Sequence, residues 1–135
     1  MVRVVSQIGL VALGSAMGGL ARWGLTTAAG RVLGTAFPWG TLLVNLSGSL
    51  FLGWFMTVVS ERLPSAAVGW LRPDDLRLMV AVGFTGAFTT FSTFQYESHG
   101  LLRDGDGLSG TTYMLGSVFL GLLAVRFGML LGRWS

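Results

Sequence analysis

Four long runs without a charged residue govern what this chain can fold into. They extend from Val4 to about Leu20, from about Phe37 to Ser60, from Leu78 to Tyr96 and from Leu108 to Val125. Each meets the roughly 17 to 25 residues that a helix needs to cross the hydrocarbon of a bilayer. Backbone polar groups in lipid must be satisfied within their own segment, so such runs are expected to be helices. Charged residues make up 11% of the chain and the mean hydropathy is +0.67. A soluble domain of 135 residues would need far more polar surface to cover its core. The expected fold is therefore an all-α integral membrane protein. It forms one transmembrane domain over residues 1–135, with four spans at roughly 4–28, 37–61, 76–98 and 108–132. Arg3 followed by an apolar run and Gly14-Ser15-Ala16 resembles a secretory leader. Three more apolar segments follow it, so it is expected to be the first membrane span.

The connectors support this division. Pro64 and Pro73 flank the second loop, and Asp74 and Asp75 stand where they can cap the third helix. Arg103-Asp104-Gly105-Asp106-Gly107 makes a polar turn before the fourth helix. Trp23, Trp39, Trp70 and Trp134 fall near the expected ends, where an aromatic belt belongs. Small residues sit four apart at Gly14 and Gly18, Ser49 and Gly53, Gly83 and Ala87, and Gly128 and Gly132. This spacing serves close helix contact, either within the bundle or between subunits. Arg3, Arg62, Arg72, Arg77, Arg126 and Arg133 fall on the side of the termini and second loop. Arg31 and Arg103 fall on the other side, with Arg22 near the membrane edge. The positive-inside rule favours cytoplasmic termini, but the bias is small enough to allow insertion either way.

Several chemistries are excluded. The chain has no Cys and its only histidine is His99, which rules out thiolate sites and multi-histidine metal clusters. Its arginines are scattered rather than gathered into a nucleic-acid patch. His99 and Glu97 lie beyond the third apolar run, with no nucleophile–base–orienter arrangement that would make an enzyme.

Polar residues inside the spans are costly and need partners. Asn45 in the second span offers two donors and an acceptor, for an interhelical bond or for a ligand. The third span alternates hydroxyls with phenylalanines from Gly83 to Glu97. On a continuous helix, Phe84, Phe88, Phe91 and Phe94 share one arc, and Thr85, Thr89, Ser92 and Thr93 share another. Gly86 among threonines suggests a local break whose freed carbonyls could coordinate a cation. In the fourth span Tyr113, Ser117 and Gly121 form a stripe, either a polar track or a packing face. The acidic residues lie in or near the ends and loops. Hydroxyl and amide donors, ring edges and arginine suit an anion better than a cation.

At these residues the sequence resembles the CrcB/Fluc fluoride channels. The resemblance rests on Gly18-Gly-Leu-Ala-Arg-Trp23, on Gly40-Thr-Leu-Leu-Val-Asn-Leu-Ser-Gly48 and above all on Gly83-Phe-Thr-Gly-Ala-Phe-Thr-Thr-Phe-Ser-Thr-Phe94, and it spans nearly the whole chain. It implies a multi-pass protein of the bacterial cytoplasmic membrane that passively exports fluoride and so relieves its toxicity. It further implies a broken third helix and an antiparallel, dual-topology homodimer with two pores along the subunit interface. The family's ion path maps onto Asn45, Phe91, Phe94, Thr93, Tyr113 and Ser117, with Arg22 as its vestibule arginine. Gly121 stands where that path can carry another hydroxyl. The resemblance also implies a structural sodium ion at the dimer axis, held by backbone carbonyls at Gly86 and Thr89. The expected partners are fluoride, the lipid bilayer and a second copy of the chain, with no nucleic acid. A small multidrug-type exporter would resemble its relatives in carrying an acid within the first span, and none lies between Arg3 and Arg22. A membrane scaffold would leave the third-span cluster unexplained.

Overall fold

A computed structural model describes residues 2–63 and 72–134; Pro64 and Trp70 lie outside the described residues. Three unbroken helices, α1 (Val2–Leu33), α2 (Trp39–Glu61) and α6 (Gly107–Trp134), are each long and apolar enough to cross a membrane. The remaining apolar segment is composite. It comprises α3 (Pro73–Leu76), a π-helical segment (Arg77–Thr85), α4 (Gly86–Phe88) and, after an interruption, α5 (Phe91–Arg103). The expectation of an all-α fold with a broken third segment is thus met, with the break at Thr89 and Thr90, three residues beyond Gly86. Thr89 and Thr90 are extended, with ψ of 159° and 118°, whereas Gly86 keeps helical angles of −62° and −36°.

Glycines decide how closely these helices approach. α1 runs along the π-helical segment, where a Cβ at Gly14 would fall on the Met79 carbonyl and one at Gly18 on the Phe84 carbonyl. α6 runs along α2 in the same way. A Cβ at Gly128 would meet the Leu50 carbonyl, and one at Gly53 the Val125 carbonyl. In lipid the hydrophobic effect gives helices little reason to associate, so backbone contact of this kind supplies much of the attraction. The small-residue pairs that admitted two roles therefore work, at Gly14, Gly18, Gly53, Gly83, Gly128 and Gly132, inside one subunit.

The ends are fixed by polar groups. Arg133 Nε pairs with Glu61 at 3.5 Å, Arg62 donates to the Arg133 carbonyl, and Arg77 reaches Ser60 at 3.4 Å. These contacts gather the end of α2, the start of the composite span and the end of α6 at one face, as the loop arithmetic requires. Of the two expected caps, Asp75 accepts from the Arg72 amide at 3.3 Å, while Asp74 pairs instead with Arg77. At the other face α5 closes in a reversed turn. Gly105, at φ 86°, lets its own amide reach the Leu102 carbonyl and that of Asp106 reach Leu101. Asp106 then caps α6 through the Ser109 amide at 3.1 Å. Hydrogen bonds from the Ser109 side chain and amide hold its carboxyl below the usual carboxylate range. Trp39 and Trp134 sit at helix ends, whereas Trp23 lies within α1, which continues ten residues beyond it to Leu33.

Gly128→Ala is expected to destabilise the protein by about 1–3 kcal/mol through overpacking against backbone that cannot yield. Gly9→Ala, where no atom lies near the added methyl, should be neutral. Thermal unfolding in detergent compares the two; equal midpoints would refute the close-packing account.

Candidate ion-permeation site

The site is organised around the interruption in the composite span. Leading into it, the π-helical segment lets the Thr85 hydroxyl bond the Val80 carbonyl at 3.0 Å, five residues back. Thr89 closes the last turn, its amide and its hydroxyl both donating to the Thr85 carbonyl at 2.9 Å. A continuous helix would next aim the Thr90 amide at Gly86. That amide donates instead to Asn45 Oδ1 on α2 at 2.9 Å, while Asn45 Nδ2 donates to the Thr90 carbonyl at 3.1 Å. One side-chain amide thus serves both backbone groups of the residue at the break. Two functions of Asn45 are consumed, leaving one N–H and one lone pair.

Thr90 also starts the next helix. Its hydroxyl accepts from the Thr93 amide at 3.3 Å and donates to Thr93 Oγ1 at 3.0 Å, an N-cap for α5. The carbonyls of Gly86 and Thr89 therefore lose the amides a continuous helix would send them, because those of Thr90 and Thr93 go elsewhere. Oxygens freed at the end of a helix carry its negative pole and form a donor set suited to a hard cation. No cluster of His, Cys, Asp and Glu able to hold a metal occurs among the described residues, so carbonyls and hydroxyls are the relevant donors.

Below the break, α5 brings Glu97 against α2 and α6. Thr41 donates to Glu97 Oε1 at 2.9 Å and Tyr113 donates to Glu97 Oε2 at 2.9 Å. The Tyr113 side chain is 1% exposed, and its single hydroxyl proton is committed to this carboxylate. Its ring meets Phe94 at a centroid distance of 5.1 Å and Phe37 edge-on at 5.4 Å. The four phenylalanines that share an arc on a continuous helix are divided by the break. Phe84 and Phe88 stack on each other at 5.7 Å, and Phe84 also meets Phe51. Phe91 and Phe94 lie 6.1 Å apart beyond the break, one 71% exposed and the other 8%.

A cleft of about 730 Å³ opens at the face carrying the α1–α2 and α5–α6 loops. Arg22, Thr41, Thr90, Thr93 and Glu97 line it, and Arg22 enters no ion pair among the described residues. On the other side of the break lies a smaller cavity of about 230 Å³, lined by Asn45, Ser49, Thr85, Thr89, Thr90 and Phe91. A family profile described as "CrcB-like protein, Camphor Resistance (CrcB)" matches residues 9–129. The chain belongs to the CrcB family. It is 44% identical over 130 residues to the fluoride-specific ion channel FluC of Chloroflexus aurantiacus, covering 96% of this chain and 98% of that one. It is 44% identical over 127 residues to the protein of the same name from Magnetococcus marinus, covering 94% and 98%. The FluC protein of Solibacter usitatus is 44% identical over 124 residues, covering 92% and 96%.

Within this CrcB chain the structure gathers Asn45, Thr93 and Phe91 around the break and its two cavities, and sets Phe94 against Tyr113 beside Glu97. Arg22 stands at the mouth of the larger one. Ser117 lies one turn beyond Tyr113, and its Oγ is the one buried side-chain polar atom without a partner among the described residues. Gly121 continues that stripe with nothing within 4 Å of an added methyl. Three participants are absent from the sequence-derived site: Thr41, Thr90 and Glu97. Helical spacing carried a signal for two of them, since Thr41 precedes Asn45 by one turn and Glu97 follows Phe94 by three residues. Thr90 had no such signal, because its role begins where the helix stops.

Asn45→Asp keeps the acceptor for the Thr90 amide but loses the donor to its carbonyl. A loss of about 1–3 kcal/mol is expected from the unsatisfied group, together with loss of anion flux from the added charge. Thermal unfolding and vesicle efflux measured on one preparation check both effects; normal flux would remove Asn45 from the anion path.

Proposed function

We propose that this CrcB chain is a fluoride-selective channel that passively exports fluoride across the bacterial cytoplasmic membrane, relieving its toxicity. It is a channel rather than an enzyme, and a multi-pass membrane protein. The observation that carries the proposal is the match along nearly its whole length to proteins named as fluoride-specific ion channels.

The donor chemistry supports it. Fluoride is small and holds its water tightly, so a path must replace that shell with hard donors. Asn45 retains one N–H after clamping the break. Thr93, exposed on the cleft, carries a hydroxyl whose acceptor side is already served by Thr90. The buried Ser117 hydroxyl has no partner to give up. The ring edges of Phe91 and Phe94 add a weak positive field, and the cationic Arg22 draws anions to the cleft. Tyr113 serves the path through Glu97, one of whose carboxylate oxygens it keeps bonded.

The working unit in this proposal is an antiparallel homodimer with two pores. In its support, α5 leaves Phe91, Ser92, Gln95, Tyr96 and His99 exposed, a mixed polar and aromatic face that lipid tails would solvate poorly. The carbonyls of Gly86 and Thr89 fit a structural sodium ion, with two copies supplying the oxygens that one chain lacks. Such an ion contributes positive charge that favours a nearby anion.

The test is efflux from proteoliposomes followed with ion-selective electrodes. Rapid fluoride release with chloride retained is expected; release of neither ion by a folded protein would refute the assignment. Phe94→Ile and Phe91→Ile should each slow fluoride at least roughly tenfold, about 1.4 kcal/mol on the barrier, while the protein stays folded. Unchanged flux in both would remove the rings from the path.

A further inference from the structure

The cleft and the smaller cavity that flank the break share a single lining residue among those described, Thr90. Thr90 therefore stands between the two, beside the proposed path residues Asn45 and Thr93. We infer that the Thr90 hydroxyl is itself an ion-handling group, the donor that passes fluoride between the cleft and the smaller cavity. This rests on the fluoride-channel assignment and adds a residue and a step to it.

The geometry leaves this side chain little else to vary. Asn45 fixes the Thr90 backbone from both sides, at 2.9 Å and 3.1 Å. The side-chain oxygen is tethered by the Thr93 amide at 3.3 Å. What remains free is the direction of one proton, since a hydroxyl has one donor and two lone pairs. In this structure that proton goes to Thr93 Oγ1, 3.0 Å away. Thr93 is exposed on the cleft and has a proton of its own. An anion arriving there can accept from Thr93 first. Rotation of the Thr90 O–H then offers the next donor without moving any heavy atom. Asn45, which lines the smaller cavity, has a spare N–H to offer after it. Donors thus succeed one another across the partition, and the ion need not be bare between two sites. A group that stays fixed while only its proton turns is preorganised for a small, strongly hydrated anion.

Unitary fluoride conductance in planar bilayers tests the step, because it does not depend on how much protein folds. Thr90→Val keeps the β-branched shape of the extended residue and removes the hydroxyl. It should lower unitary conductance at least roughly tenfold, and Thr90→Ser, which restores the hydroxyl, should recover most of it. Wild-type conductance in Thr90→Val would overturn the inference, and so would a Thr90→Ser channel as poor as Thr90→Val, since packing and not the donor would then matter. Thr90→Asp guards against a folding failure. Aspartate is as good an N-cap as threonine, so the break should survive while the acceptor-only anion blocks fluoride; normal conductance there would equally overturn the inference. A wild-type protein that conducts no fluoride refutes the channel assignment itself, whereas a conducting wild type with an indifferent Thr90→Val refutes only the role of Thr90.

Discussion

A backbone that stops being helical inside a membrane leaves amides and carbonyls that water cannot reach, and the Asn45 side chain meets that demand here. Its amide accepts from and donates to the same residue, Thr90. It replaces two of the hydrogen bonds that the helix gives up. Much of the remaining geometry follows from this pairing. The Thr90 amide is drawn off the helix axis, which releases the Gly86 carbonyl. The Thr90 side chain becomes the cap of α5, which releases Thr89. The restarted helix then takes a new direction, setting Phe94 and Glu97 against α6.

The acid at the centre of a proposed anion path is reconciled with its surroundings by the donors around it. Both Glu97 oxygens accept hydrogen bonds, one from Thr41 on α2 and one from Tyr113 on α6. These bonds join three helices at one residue and spend on the acid the hydroxyls of Thr41 and Tyr113. In the proposed path, the donors left for a passing anion are those of Asn45, Thr93 and Ser117, together with the aromatic edges. Polar groups inside the membrane here thus fall into two sets, one whose donors are spent closing the bundle and one with donors left over.

Close helix approach makes the arrangement rigid enough to hold that division. The glycines that bring α1 against the π-helical segment and α2 against α6 put backbone on backbone. No side chain at those points can rotate to absorb a shift. The broken span is thereby fixed on α1 at one edge and on α2 through Asn45 at another, while α5 presents its opposite face outward.

The long uncharged apolar runs determined the membrane setting and the all-helical fold, because crossing hydrocarbon imposes a length and forbids charge. The residue types at Asn45 and through the third span also marked where polarity would concentrate. The break falls three residues beyond the glycine that suggests it, since glycine flexibility is a local property and the Thr90 amide is taken up by a side chain 45 positions away in sequence. The arc of four phenylalanines dissolved for the same reason, as a helical projection assumes one uninterrupted axis. Glu97 read as an end residue because its own segment gave no hint of the two hydroxyls that come to it from other helices. Sequence alone determined what had to be buried in lipid and where donors were available. Only tertiary structure decided which of those donors are spent on the protein's own backbone and carboxylate and which remain for an ion, because that depends on partners brought together by folding.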